Sequence, residues 1–240
     1  GLDGTVLAPS LVSSGSAAPG LSAALGGDVV LPTLAPEGDE LVLLDRYPAS
    51  VVTWVDVRTA RVRGQLSVAT GFLANPHDYV AVAPDRAYVP RFESNAAPGS
   101  EPLDAGGDLL ELDPDGLAIV GRIPLGPALE GEPGAPLPRP DRAAWVGERI
   151  LVLLGGYSAD FAASAAARLI AVDPDAATID ETLVLDGVHG CSGLALSPDG
   201  SEVALACTGE WGGDGVPDLA GSALVRVRTA PPLVELGRTP

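Results

Sequence analysis

The sequence predicts an all-β fold, a β-propeller of four-stranded antiparallel blades, and three observations predict it. Apolar strands of five or six residues come in hairpin pairs, their turns are built from Pro, Asp and Gly, and the order hairpin, hairpin, long loop returns four times. A β-sandwich also uses many short strands, but it has no reason to repeat that order.

The first blade is expected over 29–68. Val29-Val30-Leu31 runs through Pro36-Glu37-Gly38 into Leu41-Val42-Leu43-Leu44, and Val51–Val57 turns at Arg58-Thr59-Ala60 into Val62–Leu66. The second, 77–125, pairs Tyr79–Val82 with Ala87-Tyr88-Val89 across Pro84-Asp85, then Leu109–Leu112 with Ala118–Leu125 across Asp113-Pro114-Asp115. The third, 140–187, pairs Ala143–Val146 with Ile150–Leu154, then Leu169–Val172 with Thr178–Leu185. The fourth, 189–237, folds Gly193–Leu196 onto Val203–Ala206 through Ser197-Pro198-Asp199-Gly200, then Ala223–Arg228 onto Leu233–Leu236. Pro presets φ at the first central turn position, and Asp or Gly supplies the tight geometry after it. The turn residues Pro36, Pro84, Gly147 and Pro198 are 48, 63 and 51 positions apart, a blade length slightly inflated by loops. Asp56, Asp113 and Asp173, each closing a third strand, are expected to accept bonds from the amides of the turn they start. Residues 1–28 read as a linker with one weak strand, Thr5-Val6-Leu7-Ala8, and 29–240 as one propeller domain. The Ala-rich stretch Asp160–Ala167 is the one place where a short helical turn is expected.

Composition removes several function classes. The chain carries 32 acidic residues against 14 basic ones, all Arg, for a formal charge of −18, with a pI near 4.2. Nucleic-acid binding is excluded as an expectation, because counterion release needs clustered Lys and Arg. No apolar run reaches the roughly 18 residues of a membrane-spanning helix, so the chain is not expected to be transmembrane. Gly-x-Ser-x-Gly, phosphate-loop, dinucleotide, His-Glu-x-x-His and Cys-x-x-Cys patterns are all absent. No organic cofactor is expected, and a divalent metal ion is the one cofactor the residues suggest.

The phrases ending in Val-Asp or Val-Asp-Pro, with the turn Leu194-Ala195-Leu196-Ser197-Pro198-Asp199-Gly200, resemble YVTN-type bacterial β-propellers over about 29–237. The resemblance implies an extracytoplasmic repeat protein of the surface-layer, periplasmic or lipoprotein kind. Complete propellers of this type usually have six or seven blades, so four imply an excised part or an unusually small closure. The motifs are turn and strand grammar and speak to fold more than to function.

Candidate chemistry lies in the loops Phe92–Asp108, Gly126–Arg142, Gly155–Arg168 and Gly209–Ser222. His77-Asp78, Asp141-Arg142 and His189 each precede the first strand of a blade, which lines the channel, so they are expected to converge at one mouth. Imidazole and carboxylate would suit zinc or another divalent ion, with His77, Asp78, Asp141 and His189 as candidate ligands. The alternative is a ring of polar groups bonded to loop backbone and water. Lactonase-type propellers, which hold a metal in the channel, supply the one enzymatic expectation. A second set closes the second strands: Arg46-Tyr47, Arg91-Phe92, Tyr157 and Trp211. These side chains are expected to fill inter-blade space, or else to form an aromatic and Arg-lined surface for a sugar or peptide. Gly212–Asp218 has only part of a calcium-loop pattern.

Cys191 and Cys207, the only cysteines, flank the Pro198-Asp199-Gly200 turn. A hairpin that sets Ser197 opposite Ser201 has partner numbers summing to 398, as 191 and 207 do. Directly opposed residues at a non-hydrogen-bonded pair are about 4.5 Å apart at Cα, so a disulfide is expected. It places the chain in an oxidising compartment: periplasm, cell surface or medium. The reading of function is a non-catalytic extracytoplasmic propeller that presents a loop-built face to a protein, glycan or cell-wall component. The alternative is a metal-dependent, lactonase-like hydrolase at the channel mouth.

Overall fold

The computed structural model describes residues 25–36, 38–211 and 216–240, together with 6–7 and 17–18. The short strands β1 (Val6–Leu7) and β2 (Ala17–Ala18) pair antiparallel. Four four-stranded antiparallel sheets follow, each in simple sequential order. Blade one holds β3 (Val29–Val30), β4 (Glu40–Asp45), β5 (Val51–Asp56) and β6 (Arg61–Ser67). Blade two holds β7 (Val80–Ala83), β8 (Arg86–Ser94), β9 (Gly106–Asp113) and β10 (Ala118–Pro124). Blade three holds β11 (Pro140–Val146), β12 (Arg149–Leu154), β13 (Arg168–Asp173) and β14 (Thr178–Val184). Blade four holds β15 (Cys191–Leu196), β16 (Glu202–Trp211), β17 (Pro217–Arg228) and β18 (Val234–Thr239). The first strands are innermost, with β11 lying against β7 and β8 on one side and β15 on the other. This is a β-propeller of four blades.

Apolar burial explains why the blades stack. Val42, Leu44, Val52 and Trp54 of blade one meet Tyr79, Val89, Leu110 and Leu112 of blade two. Tyr88, Leu109 and Ile123 meet Ile150, Val152 and Ile170 between blades two and three. Leu151, Leu153 and Leu169 meet Val203, Leu205 and Val225 between blades three and four. β12 and β13 are therefore buried on both faces and read as continuous apolar runs, as strands covered on both sides do. β16 and β17 alternate instead, and the far face of blade four shows Ala206, Leu224 and Arg226 to solvent. In every blade the ladder between third and fourth strands shifts register once, at Trp54/Val55, Ile119/Gly121, Ala171/Val172 and Arg226/Val227. A bulge at that place increases the local twist and fans the outer strand away from its neighbour blade.

The turn carboxylates behave as expected. Asp56, Asp113 and Asp173 each accept two amide bonds from the turn that follows. Three expectations are corrected. The first strand of blade one ends at Val30, because Pro32 and Pro36 remove the donors a longer ladder would need. The stretch 160–167 forms turns and an isolated bridge, Tyr157↔Ser164, and no helix. The fourth-blade hairpin runs as Gly193↔Ala206 to Leu196↔Val203, so its partner numbers sum to 399 and not 398. A bulge at Ser192 restores Cys191↔Cys207, and the disulfide Cys191–Cys207 is present with its Cα atoms 3.8 Å apart. Such a bond belongs in an oxidising environment.

Candidate functional site

Because strands alternate in direction, one rim gathers the starts of first and third strands and the ends of second and fourth strands. That rim carries the long loops 68–79, 95–105, 125–139 and 155–167, and the other carries the tight turns and the connection 31–39 of blade one. The residues singled out before first strands and after second strands therefore share one mouth.

His77, Asp141 and Arg142 come together there. The His77 ring stacks on Phe92 at 4.2 Å with an interplanar angle of 10°, and its Nδ1 lies 3.3 Å from Asp141 Oδ2. Arg142 donates to the carbonyls of His77 and Asp141 at 3.1 Å each and pairs with Asp141 Oδ1. Asp78 points elsewhere. Its Oδ1 accepts from the amides of Thr33 and Tyr79, and its Oδ2 from the Thr33 hydroxyl and the Ala143 amide, at 2.6–2.9 Å. Burial pushes this carboxyl's pKa up while the four donors pull it down. Those bonds fill the roughly four lone-pair positions of a carboxylate, so Asp78 fastens blades one, two and three together and has none left for an ion. His189 sits in a third setting, with Nδ1 2.8 Å from Ser164 Oγ and 3.2 Å from Glu210 Oε1. Among the described residues no three His, Cys, Asp or Glu side chains are placed to hold a metal ion. The channel ion of a lactonase-like site does not fit this arrangement.

The second set divides in the same way. Arg91 is fully buried: it forks onto Asp108 at 2.7 Å twice, bonds Thr70 Oγ1 and the Leu103 carbonyl at 2.7 Å, and lies over Phe72. Arg46 pairs with Asp28 at 2.7 Å, and Tyr47 is exposed. Phe92 is buried, while Tyr157 packs at 5.7 Å against Phe161, and burial raises the Tyr157 hydroxyl's pKa. Trp211 closes β16, and its side chain lies outside the described residues, as do residues 212–215 of the calcium-like stretch.

Sequence reading passed over Phe161, Ser164 and Arg139. Arg139 is buried, pairs with Glu93, and holds its guanidinium 4.2 Å from the Phe161 ring centre and 5.1 Å from that of Phe92. Arg168, also buried, pairs with Glu132 of the preceding long loop. Buried arginines thus anchor the loops, and a desolvated, paired guanidinium is a rigid anchor. Beside the rings, Tyr157, Phe161, Ser164 and Glu210 line a recess of about 10 Å³, room for a single water. The Ser164 hydroxyl donates to Glu210 Oε1 at 2.6 Å and so leaves His189 Nδ1 to donate to Ser164. Hydroxyl and carboxylate meet the same imidazole nitrogen, whereas a Ser–His–acid triad needs them on different nitrogens. Tyr157 of this recess was among the residues singled out from the sequence; Phe161, four positions on in the same Ala-rich loop, was the signal passed over.

On the inner side of the blades a groove of about 690 Å³ runs past Leu34, Tyr79, Val82 and Trp145. Its one cation, Arg63, is held by Glu40 at 2.7 Å and the Pro114 carbonyl at 2.9 Å. The Trp54 indole donates to the Tyr79 hydroxyl, whose pKa burial pushes up to about 12.

No family model matches the chain, and no curated protein matches it. Among solved structures, the dihydro-heme d1 dehydrogenase NirN in complex with DHE aligns with a TM-score of 0.55 at 12% identity, over 89% of this chain and 37% of that one. A protein of Bacteroides uniformis provisionally named a 6-phosphogluconolactonase aligns with a TM-score of 0.53 at 12% identity, over 86% of this chain and 56% of that one. The chain thus spans about a third to a half of their lengths. At this identity the likeness shows the fold alone.

Proposed function

We propose that this chain is a non-catalytic, extracytoplasmic propeller of the YVTN kind, in which the long-loop mouth receives a protein, glycan or cell-wall component. The observation that carries the reading is the anchoring of that mouth: Arg91–Asp108, Arg139–Glu93 and Arg168–Glu132 fix loops that a purely structural connector would leave solvated. Loops ordered before binding lose less entropy on binding, which favours recognition. The Cys191–Cys207 disulfide supports a periplasmic, surface or secreted location. Hydrolysis gains no support from the polar groups, since His77, Asp78 and His189 each have separate structural partners. Co-sedimentation with bacterial cell-envelope fragments tests the reading. Binding should be lost when Glu132→Ala and Glu93→Ala release the loops, and kept when Asp85→Ala and Glu148→Ala alter the opposite rim. The reverse pattern would overturn it.

A further inference from the structure

Resting on that reading, we infer that the mouth binds a glycan on its surface, a neutral pyranose ring stacking across the exposed Phe161 ring above a water-sized recess while Glu210 and Tyr157 take its hydroxyls. Phe161 is a bulky residue held at φ +59°, in the left-handed region that such side chains avoid. The loop over-determines this conformation. Ser158 accepts from the Phe161 amide at 3.1 Å and donates its own amide to Ala163 at 2.8 Å; its hydroxyl accepts from the Ala163 amide, and Asp160 caps Ala162. Eight other non-Gly residues, Leu103 and Leu117 among them, also have positive φ, but Leu103 and Leu117 pack partly buried against a core cluster, whereas these bonds hold the Phe161 ring out to solvent. The result is an aromatic ring 44% exposed at the lip of the recess, not folded into the inter-blade core.

The neighbours of the ring select the ligand. A cation, the Arg139 guanidinium, already lies over Phe161, so a second cation stacking there would be repelled. Glu210 and Asp160 border the loop and disfavour a phosphate or uronate. The bridge Tyr157↔Ser164 closes the loop on itself, so no free strand edge is offered to an extended peptide. A neutral sugar satisfies every constraint: one face of C–H groups for the ring, and hydroxyls around its edge. Glu210 gives Oε1 to Ser164, and its Oε2 has no partner among the described residues, with the side chain 41% exposed. The Tyr157 hydroxyl likewise makes no hydrogen bond among the described residues. A carboxylate accepting from sugar hydroxyls forms charge-assisted bonds, stronger than neutral ones.

Calorimetry with cellohexaose, mannohexaose and xylohexaose, and with a galacturonate hexamer as the acidic counterpart, tests the inference. At least one neutral hexasaccharide should bind. Phe161→Ala should weaken it by about tenfold or more, Glu210→Gln by about fivefold, and Phe161→Trp should restore it to within about threefold, where tenfold corresponds to about 1.4 kcal/mol. The tryptophan variant separates a lost platform from a lost fold. Binding of the acidic hexamer alone, binding by Phe161→Ala as tight as by the parent, or silence from every sugar overturns the sugar inference. If envelope co-sedimentation persists in those cases, the binding mouth stands with a ligand of another class; if it is also absent, both readings fall.

Discussion

Asp78 shows how much one residue can hold. Its two oxygens collect four donors, one from the adjacent Tyr79 amide and three from Thr33 and Ala143, 45 and 65 residues away along the chain. Replacing it with Ala leaves buried donors unpaired, each costing about 1–3 kcal/mol. Asp78→Ala should therefore lower the urea-unfolding free energy by about 3 kcal/mol or more, and Asp78→Asn by nearly as much, since an amide nitrogen cannot accept. Asp199 acts at short range. The Ser197 hydroxyl, with the amide and hydroxyl of Ser201, holds its carboxyl down at about 2, below the ordinary 3.8. A depressed folded pKa means that this contribution is present above about pH 4 and lost as pH falls towards 2. The Asp199→Asn variant should therefore lose less stability than the parent between pH 4 and 2, followed by thermal unfolding across that range. Contacts of the second kind, Asp56, Asp113, Asp173 and Asp199 with amides two or three positions on, are legible in a sequence. Asp78 was read as a channel-mouth ligand because its true partners belong to other blades.

At the scale of elements, hairpins and their turns were legible because Pro, Asp and Gly fix short-range geometry, whereas bulges were not. The repeated register shift between third and fourth strands leaves no residue signature: the extra fourth-strand residues, Arg63, Val120, Asp180 and Leu236, share no side-chain type. The fourth-blade hairpin makes the same point. Its turn register differs by one from the simple expectation, and the bulge at Ser192 returns Cys191 to Cys207. The bridge closes a segment with a sequence separation of 16, for which loop entropy gives about 3 kcal/mol. Cys191→Ala with Cys207→Ala should lower unfolding free energy by that amount in denaturant titration. The bridge also lies two residues from His189 and three from Glu210, so the double variant should loosen the Ser164–His189–Glu210 group, visible as faster amide exchange at 187–191 and 207–211.

At the scale of the molecule, three inter-blade cores hold four blades, and the far face of blade four takes no part in them. Positions that are Leu151 and Leu169 in blade three correspond by register to Ala204 and Leu224 in blade four. Leu151→Ala or Leu169→Ala should each cost about 2–5 kcal/mol, because each opens a cavity in a dry interface. Leu224→Ala, on a side chain 53% exposed, should stay within about 0.5 kcal/mol. Blade order and the shared rim were readable from the period of the sequence, since strand alternation dictates them. Which rim residues touch was not, because His77 and His189 occupy equivalent chain positions yet meet Asp141 in one case and Ser164 with Glu210 in the other.

The central claim, that the long-loop mouth is the binding face, is tested most directly by hydrogen–deuterium exchange with and without solubilised bacterial cell-envelope fragments. Binding at the mouth predicts added protection confined to 92–105, 126–139, 155–168 and 209–211. Protection confined to 79–84 and 143–145, along the inner groove on the other side of the blades, would contradict it.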